Sequence, residues 1–342
     1  MKRAILILLM IGGTARAEDF WQRTDEDSES AVARRNYEKA MEDGDSFAQL
    51  ATSRATGGSD MRRLLEAAIK SYQNASLARP DAAEPHYRAG LILHNFFVEC
   101  PPINILPLAW CSRGRPPAAK AAQLANEWGA FVKLAPLDPR VDFQLMFDLA
   151  IANTQAARDT IEPEKVKARI QTALDFYRAA LQRTSLDGDL NAKQILGNMA
   201  ESYMMLGDLD DAITMYQRTL RVSTDVSTVY GLAVALDRDE QGAKARELMR
   251  ALGVEQFQTF KDSIQRGDTF FVPDGESFYY LALAEESFGD FDQAAIDWQN
   301  FVLSGAHPQY AERAKANRDA LIKGHKHTKA PPADSRVREY DR

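Results

Sequence analysis

Histidines and paired carboxylates are the residues of this chain that could carry acid–base or metal chemistry. The 342-residue sequence has five histidines, and the one close pair, His325 and His327, stands in a polar tail. A stable zinc site needs three or four ligands, so this pair predicts no metal site. The sequence has no glycine-rich phosphate loop, GxSxG elbow or HExxH motif. We therefore predict a protein that is not an enzyme and that uses neither a cofactor nor a metal.

The amino terminus has the pattern of an export signal. Lys2 and Arg3 precede an apolar run at 4–11, and small residues follow up to Ala17. This order is typical of a secretory signal peptide, and the apolar run is shorter than the roughly 20 residues that span a bilayer. We expect cleavage after Ala17 and an exported protein, periplasmic or secreted. A short anchor that stays uncleaved is the alternative.

Cys100 and Cys111 could form a covalent link. In the oxidising compartment that an exported chain reaches, a disulfide between them is the expected chemistry. It would close a short loop and stabilise the protein by roughly 2–3 kcal/mol. A reactive or metal-binding pair is the alternative, but the close Cys or His spacing of such sites is missing.

The charge balance is acidic. The chain has 42 Lys and Arg against 49 Asp and Glu, a formal net charge of −7, and loss of the basic leader would make it more acidic. Nucleic-acid binding needs concentrated Lys and Arg, so we expect none. No other stretch approaches the length of a membrane-spanning segment, so we expect no stable membrane insertion. The sequence gives no prediction of oligomeric state.

Residues 193–226 form the clearest structural element, a helical hairpin. Apolar residues share one face of each helix: Leu196, Met199, Ala200 and Tyr203 on the first, and Ala212, Ile213, Tyr216 and Leu220 on the second. Gly207 suits the left-handed conformation that ends a helix, and Asp208 or Asp210 could cap the next. Such a hairpin cannot bury its apolar stripe alone, so it must stack on similar units.

The spacing of Ala212, Tyr216 and Thr219 in the second helix of the hairpin recurs along the chain. The matching triplets are Ala68, Tyr72, Ala75; Leu124, Trp128, Phe131; Ala173, Tyr177, Ala180; Ala212, Tyr216, Thr219; Ala245, Met249, Leu252; and Ala294, Trp298, Phe301. With the turns GDLDDA and GDFDQA, these residues resemble the tetratricopeptide repeat over roughly residues 61–317. The resemblance implies an all-α fold, an α-solenoid of antiparallel helix pairs.

The spacing between copies is irregular, which predicts insertions. We expect a signal peptide at 1–17, a helical cap at 18–60 that breaks at Gly44 and Asp45, repeats at 61–322 and a disordered tail at 323–342. Insertions are expected at 98–116, 155–167 and 253–275. The last holds a predicted extra helix, EQFQTFKDSI, and a strand-like run, FFVPDG, that ends in a turn. Insertions in such arrays lie on one face, often the binding face.

The resemblance also implies which residues face a partner. In this family the first helix of each pair lines the concave surface through its second, fifth, ninth and twelfth residues. The fifth is aromatic in four of five copies and is Gly197 in the other. The candidate partner-binding residues are Tyr87, His94, Phe147, Tyr230, Tyr279 and Glu286. The alternative is that these aromatics pack against the neighbouring repeat.

Two functions stay open at this point. The first is an exported scaffold that holds another protein or a peptide segment with apolar and basic residues, for example in a bacterial cell-envelope assembly. The second is an enzyme or small-molecule carrier with a pocket near 253–275. For a scaffold, the expected contact regions lie on either side of the hairpin at 193–226.

Overall fold

A computed structural model describes residues 14–55, 57–99, 116–158, 160, 162–184, 190–222, 225–266, 269 and 271–324, with side chains from residue 30 onward except that of residue 190. The leader up to residue 13, the predicted disulfide of Cys100 and Cys111, and the histidine pair of the tail lie outside the described residues.

The described ranges are helical and contain no strand, which confirms the all-α prediction. The helices are α1 (Thr14–Ser53), α2 (Gly58–Ala78), α3 (Glu84–Leu93), α4 (Ala118–Leu134), α5 (Phe143–Ala156), α6 (Pro163–Leu181), α7 (Leu190–Leu206), α8 (Leu209–Val222), α9 (Val226–Arg238), α10 (Gly242–Leu252), α11 (Val254–Arg266), α12 (Ser277–Phe288), α13 (Phe291–Ser304) and α14 (Ala311–Gly324). A π-helical turn, His94–Val98, continues α3, and 3-10 turns occupy Asp274–Glu276 and Pro308–Tyr310. Within the described ranges, none of the helices combines the length and the apolar character that a membrane-spanning segment needs.

The chain forms two compact units, Met1–Ala89 and Gly90–Arg342. In the first unit α1 packs against α2 and runs without a break through Gly44, where we expected one. A Cβ on Gly44 would lie 2.6 Å from Cε1 of Tyr72, so this glycine allows the two helices to pack closely. Next to it, Asp45 accepts hydrogen bonds from the Tyr72 hydroxyl at 2.7 Å and from Arg88 Nη1 at 2.6 Å.

In the second unit, helices that follow each other in sequence pack on each other from α4 to α10 and again from α12 to α14. The hairpin predicted at 193–226 is α7 and α8. Gly207 ends α7 with a φ of +82°, and Gly289 ends α12 with a φ of +87°, as the two glycine-aspartate turns predict. The small residues assigned to helix packing, such as Ala200, Ala212 and Ala294, are fully buried.

Helix α11 interrupts this order, because α10 packs directly on α12. It is the extra helix predicted in the 253–275 insertion. The Phe260 ring stacks on the Tyr230 ring of α9 with centroids 4.4 Å apart, and Lys261 Nζ lies 2.8 Å from Glu285 Oε1 of α12. The strand-like run that follows is not a strand. Its Phe271 and Val272 are buried in the core, and no neighbouring strand is present in the described ranges to pair with them.

Candidate functional site

The second unit contains a cavity of about 540 Å³. Helices α5 and α7 form its first wall, and α11, the chain after it and α12 form the second. Aromatic and aliphatic side chains make up much of the surface, among them Phe147, Phe260 and Phe271. The 253–275 insertion therefore supplies one wall, and the helices of the repeat pattern supply the other.

The residues that α5 and α7 contribute fall at helical spacing. Helix α7 lines the cavity with Gln194, Gly197, Glu201 and Met204, and α5 lines it with Phe147, Ile151 and Thr154. Steps of three or four residues place each set on one face of its helix. The resemblance assigns the second, fifth, ninth and twelfth residues of a first helix to the concave surface, and the cavity contains all four from α7 and the last three from α5. Lys193, Asn198 and Met205 of α7 also line it.

Gly197 lies on the cavity wall at the position where the other copies carry an aromatic residue. A Cβ built on Gly197 would have no heavy atom within 4 Å, apart from its own helix backbone and chain neighbours. The space that a Phe or Tyr side chain fills in the other copies is thus part of the cavity. Binding contacts were expected on either side of this hairpin, whereas the cavity lies against the hairpin itself.

Exposure distinguishes the mouth of the cavity from its floor. Gln194 and Ser227 are exposed, whereas Tyr216 and Tyr280 are almost fully buried. Beside the mouth, Lys193 Nζ lies 3.9 Å from Asp225 Oδ1, so these two charges largely compensate each other. A ligand would enter between the first turns of α7 and α9 and reach the tyrosines.

Glu201 is the central polar group of the floor. Its Oε1 accepts a hydrogen bond from the Tyr216 hydroxyl of α8, and its Oε2 accepts one from the Tyr280 hydroxyl of α12 at 3.2 Å. Burial raises the pKa of Glu201 to about 7, partly opposed by the Tyr216 hydrogen bond. No cationic side chain in the described part of the chain forms an ion pair with Glu201.

A second carboxylate, Glu276, is neutralised by a buried arginine. Arg238 Nη2 lies 2.7 Å from the carboxylate of Glu276, and both side chains are almost fully buried. The Arg238 guanidinium also lies over the rings of Tyr279 and Tyr310, at 4.4 and 4.2 Å. His307, on the cavity wall, has Nε2 3.8 Å from Glu276, and burial lowers the pKa of His307, so its imidazole is neutral at pH 7.

Of the six candidate partner-binding residues, Phe147 lines the cavity. Tyr230 is fully buried because α11 covers it, and its ring also packs against Phe257. Tyr279 is fully buried between α12 and α13, edge-on to Trp298 and Phe301. The burial of Tyr230 and Tyr279 favours the packing alternative for these two residues.

The other three candidates do not line the cavity. Glu286 pairs with Arg246 Nη1 at 3.1 Å and accepts a hydrogen bond from Trp298 Nε1 at 3.3 Å. His94 lies in the π-helical turn, with Nε2 3.3 Å from Asp148 Oδ2. Tyr87 is half-buried on α3 in the first unit. Within the second unit, Phe147 lines the cavity, whereas His94, Tyr230, Tyr279 and Glu286 do not.

Sequence reasoning missed Glu201, Tyr216 and Tyr280 as a group. The sequence pattern predicts a packing role for Tyr216 and gives no role to Glu201. A signal existed on α7, since Glu201 stands four residues after Gly197 and therefore on the same helix face. The partners could not be read from the sequence, because Tyr280 is 79 residues from Glu201.

The raised pKa of Glu201 gives a prediction for stability. Folded Glu201 holds its proton up to about pH 7, whereas an ordinary glutamate loses it near pH 4.5, so the native state loses stability as the pH rises between these values. Glu201→Gln does not titrate, and like protonated Glu201 it has one acceptor oxygen for the Tyr216 hydroxyl and one donor, Nε2, for the hydroxyl oxygen of Tyr280. We expect its free energy of unfolding to exceed that of wild type by roughly 2–3 kcal/mol at pH 8 and to match it closely at pH 4.5.

Urea unfolding at several pH values measures this difference. Burial also raises the pKa of Glu285, to about 8, but that group titrates in both proteins and its effect cancels. Glu247→Gln, at an exposed glutamate of α10, is the matched control and should follow wild type at every pH. A Glu201→Gln difference that is constant with pH would contradict the proposed titration.

Among the described residues, no group of three or more His, Cys, Asp or Glu side chains is placed to hold a metal ion. Comparison of the sequence with protein-family models and with curated proteins gives no match.

Proposed function

We propose that this protein is a non-catalytic interaction protein that holds a segment of another protein in the Gly197 cavity. The proposal includes a tetratricopeptide-like solenoid and export from the cytoplasm, for which the repeat pattern and the amino-terminal leader are the support. A partner within a cell-envelope assembly fits that location.

The single observation that carries the proposal is the shared cavity face of α5 and α7. Phe147, Ile151 and Thr154 on one helix, and Gln194, Gly197 and Glu201 on the next, open onto the same space. Adjacent first helices of a repeat array present this kind of surface to an extended or helical peptide. Rigid aromatic side chains on the walls are favoured anchors for a bound side chain.

A small-molecule carrier is the second candidate, and one observation favours it. Phe260, Phe271, Val272 and Glu276 bring the insertion and the turn after it over one side of the cavity. A cavity of about 540 Å³ is in the size range of small-molecule sites, which is roughly 300–1,000 Å³. An interaction protein should have a segment of its partner at the mouth of the cavity in the cell, whereas a carrier should have a small molecule there.

Photocrosslinking in the cell that makes the protein distinguishes them. A photoreactive phenylalanine analogue replaces Gln194 at the mouth, and in a parallel strain it replaces Leu137, which is 95% exposed and does not line the cavity. We expect one dominant protein adduct from the Gln194 position, identified by mass spectrometry, and no such adduct from the Leu137 position.

Two other outcomes would count against a protein partner. Adducts of lipid or cell-wall material alone would contradict it. A small molecule that copurifies with the protein and protects the Gln194 position from all crosslinking would favour the carrier.

A further inference from the structure

We propose that the floor of the cavity is a recognition site for a single organic cation, the side chain of a lysine or arginine in the bound segment, with Glu201 as its counter-ion. This inference rests on the proposed function, because it specifies which partner residue enters the cavity.

The first observation in favour of a cation site is the charge balance of the cavity. Its charged lining residues are Lys193, Glu201, Asp225 and Glu276. Lys193 and Asp225 lie beside each other at the mouth, and Glu276 is paired with Arg238. Glu201 is the carboxylate among the described lining residues that lacks a cationic partner, so the floor carries one uncompensated negative charge when Glu201 is ionised.

The second observation is that Glu201 has hydrogen-bond acceptor positions left for a ligand. A carboxylate offers about four acceptor positions. The hydroxyls of Tyr216 and Tyr280 occupy two of them, one on each oxygen. The remaining positions suit an ammonium or a guanidinium group, both of which only donate. The two tyrosines also hold the carboxylate in place, since each comes from a different helix.

The walls fit the rest of such a side chain. Phe147, Phe260 and Phe271 provide apolar surface between the mouth and Glu201. The methylene stems of lysine and arginine pack against apolar surface while their charged ends reach a polar group. His307 stays neutral at pH 7 and so adds no positive charge that would repel the ligand.

The groups around Glu201 indicate that binding depends on pH. Tyr216 faces it from α8 and Tyr280 from α12, while Glu276 and Arg238 act on it from the turn before α12 and from α9. A bound cation favours ionised Glu201, whose pKa in the empty cavity is about 7. Affinity for a cationic side chain should therefore rise about tenfold from pH 6 to pH 8.

Selection from peptide libraries tests this inference on the full chain. The libraries have degenerate flanks and one fixed central residue: lysine, arginine, norleucine or glutamate. Enrichment on immobilised protein is measured by mass spectrometry for wild type, Glu201→Gln and Gly197→Trp, after each variant is shown to be folded and at least as stable as wild type. We expect wild type to enrich lysine- or arginine-centred peptides about tenfold over norleucine-centred ones, a preference that grows from pH 6 to pH 8.

The outcomes separate this inference from the proposed function. Loss of the preference in Glu201→Gln supports the cation site. Wild type could instead enrich lysine- and norleucine-centred peptides equally, while Gly197→Trp enriches neither. That result would overturn the cation site and leave the proposed function standing. If wild type retains no library better than Gly197→Trp does, both the cation site and the proposed function are overturned.

Discussion

Gly197→Trp is expected to abolish partner binding while the protein stays folded. The Cβ of the new side chain meets no heavy atom within 4 Å, so the indole can extend into the cavity without displacing the core. A glycine inside a helix is also unfavourable by roughly 0.5–1 kcal/mol relative to alanine, so the change should not lower helix stability. Loss of the space for an anchoring side chain should weaken binding by about 30-fold or more.

The measurement is the affinity for the partner that crosslinking identifies, together with thermal unfolding of each variant. Gly129→Trp is the matched control, because Gly129 lies inside α4, has equally open space around its Cβ position and does not line the cavity. It should bind the partner like wild type. Equal binding by both variants would show that the partner binds elsewhere.

Asp237→Ala is expected to cause the largest loss of stability among these variants. The carboxylate of Asp237 is fully buried and accepts hydrogen bonds from the Tyr279 hydroxyl at 2.7 Å and from Arg313 Nε and Nη2 at 2.9 and 3.0 Å. Its removal leaves a buried hydroxyl and a partly buried guanidinium without their acceptor. We expect the free energy of unfolding to fall by about 3 kcal/mol, since Arg313 can recover part of its solvation.

Chemical denaturation measures this loss, and the chain offers a close control. Asp239 lies two residues further on, is half-exposed and accepts a hydrogen bond from Gln241 Nε2 at 2.6 Å. Asp239→Ala removes the same charge at the end of the same helix and should change stability by less than about 1 kcal/mol. A similar loss for both variants would mean that net charge, and not the buried network, sets the effect.

Local patterns predicted the helices well because their causes lie within a few residues. Gly207 and Gly289 end helices in the left-handed conformation that their turns require. The periodicity of α7 and α8 fixes which residues are buried, and the extra helix α11 has its own amphipathic pattern. Gly44 is the exception. A glycine is needed there because the Tyr72 ring of another helix packs against it, and it does not break α1.

The candidate site was harder to predict because it depends on contacts between distant segments. Tyr230 occupies a position typical of the concave surface, but α11 folds over it. No residue close to Tyr230 in the sequence indicates that α11 will pack over it. Glu201 becomes a cavity floor group only where α7, α8 and α12 meet. The sequence identifies Gly197 as the copy without an aromatic residue at this position. The open cavity also requires that the neighbouring helices leave that space unfilled, which the sequence does not show.

The proposed function requires that the partner binds in the cavity beside Gly197. The most direct test is the yield of the protein adduct from a photoreactive group at Gln194, compared in cells between the unchanged Gly197 background and the Gly197→Trp background at equal protein levels. We predict a dominant protein adduct in the first background and its loss in the second. An adduct that forms with the same yield in both would contradict the account.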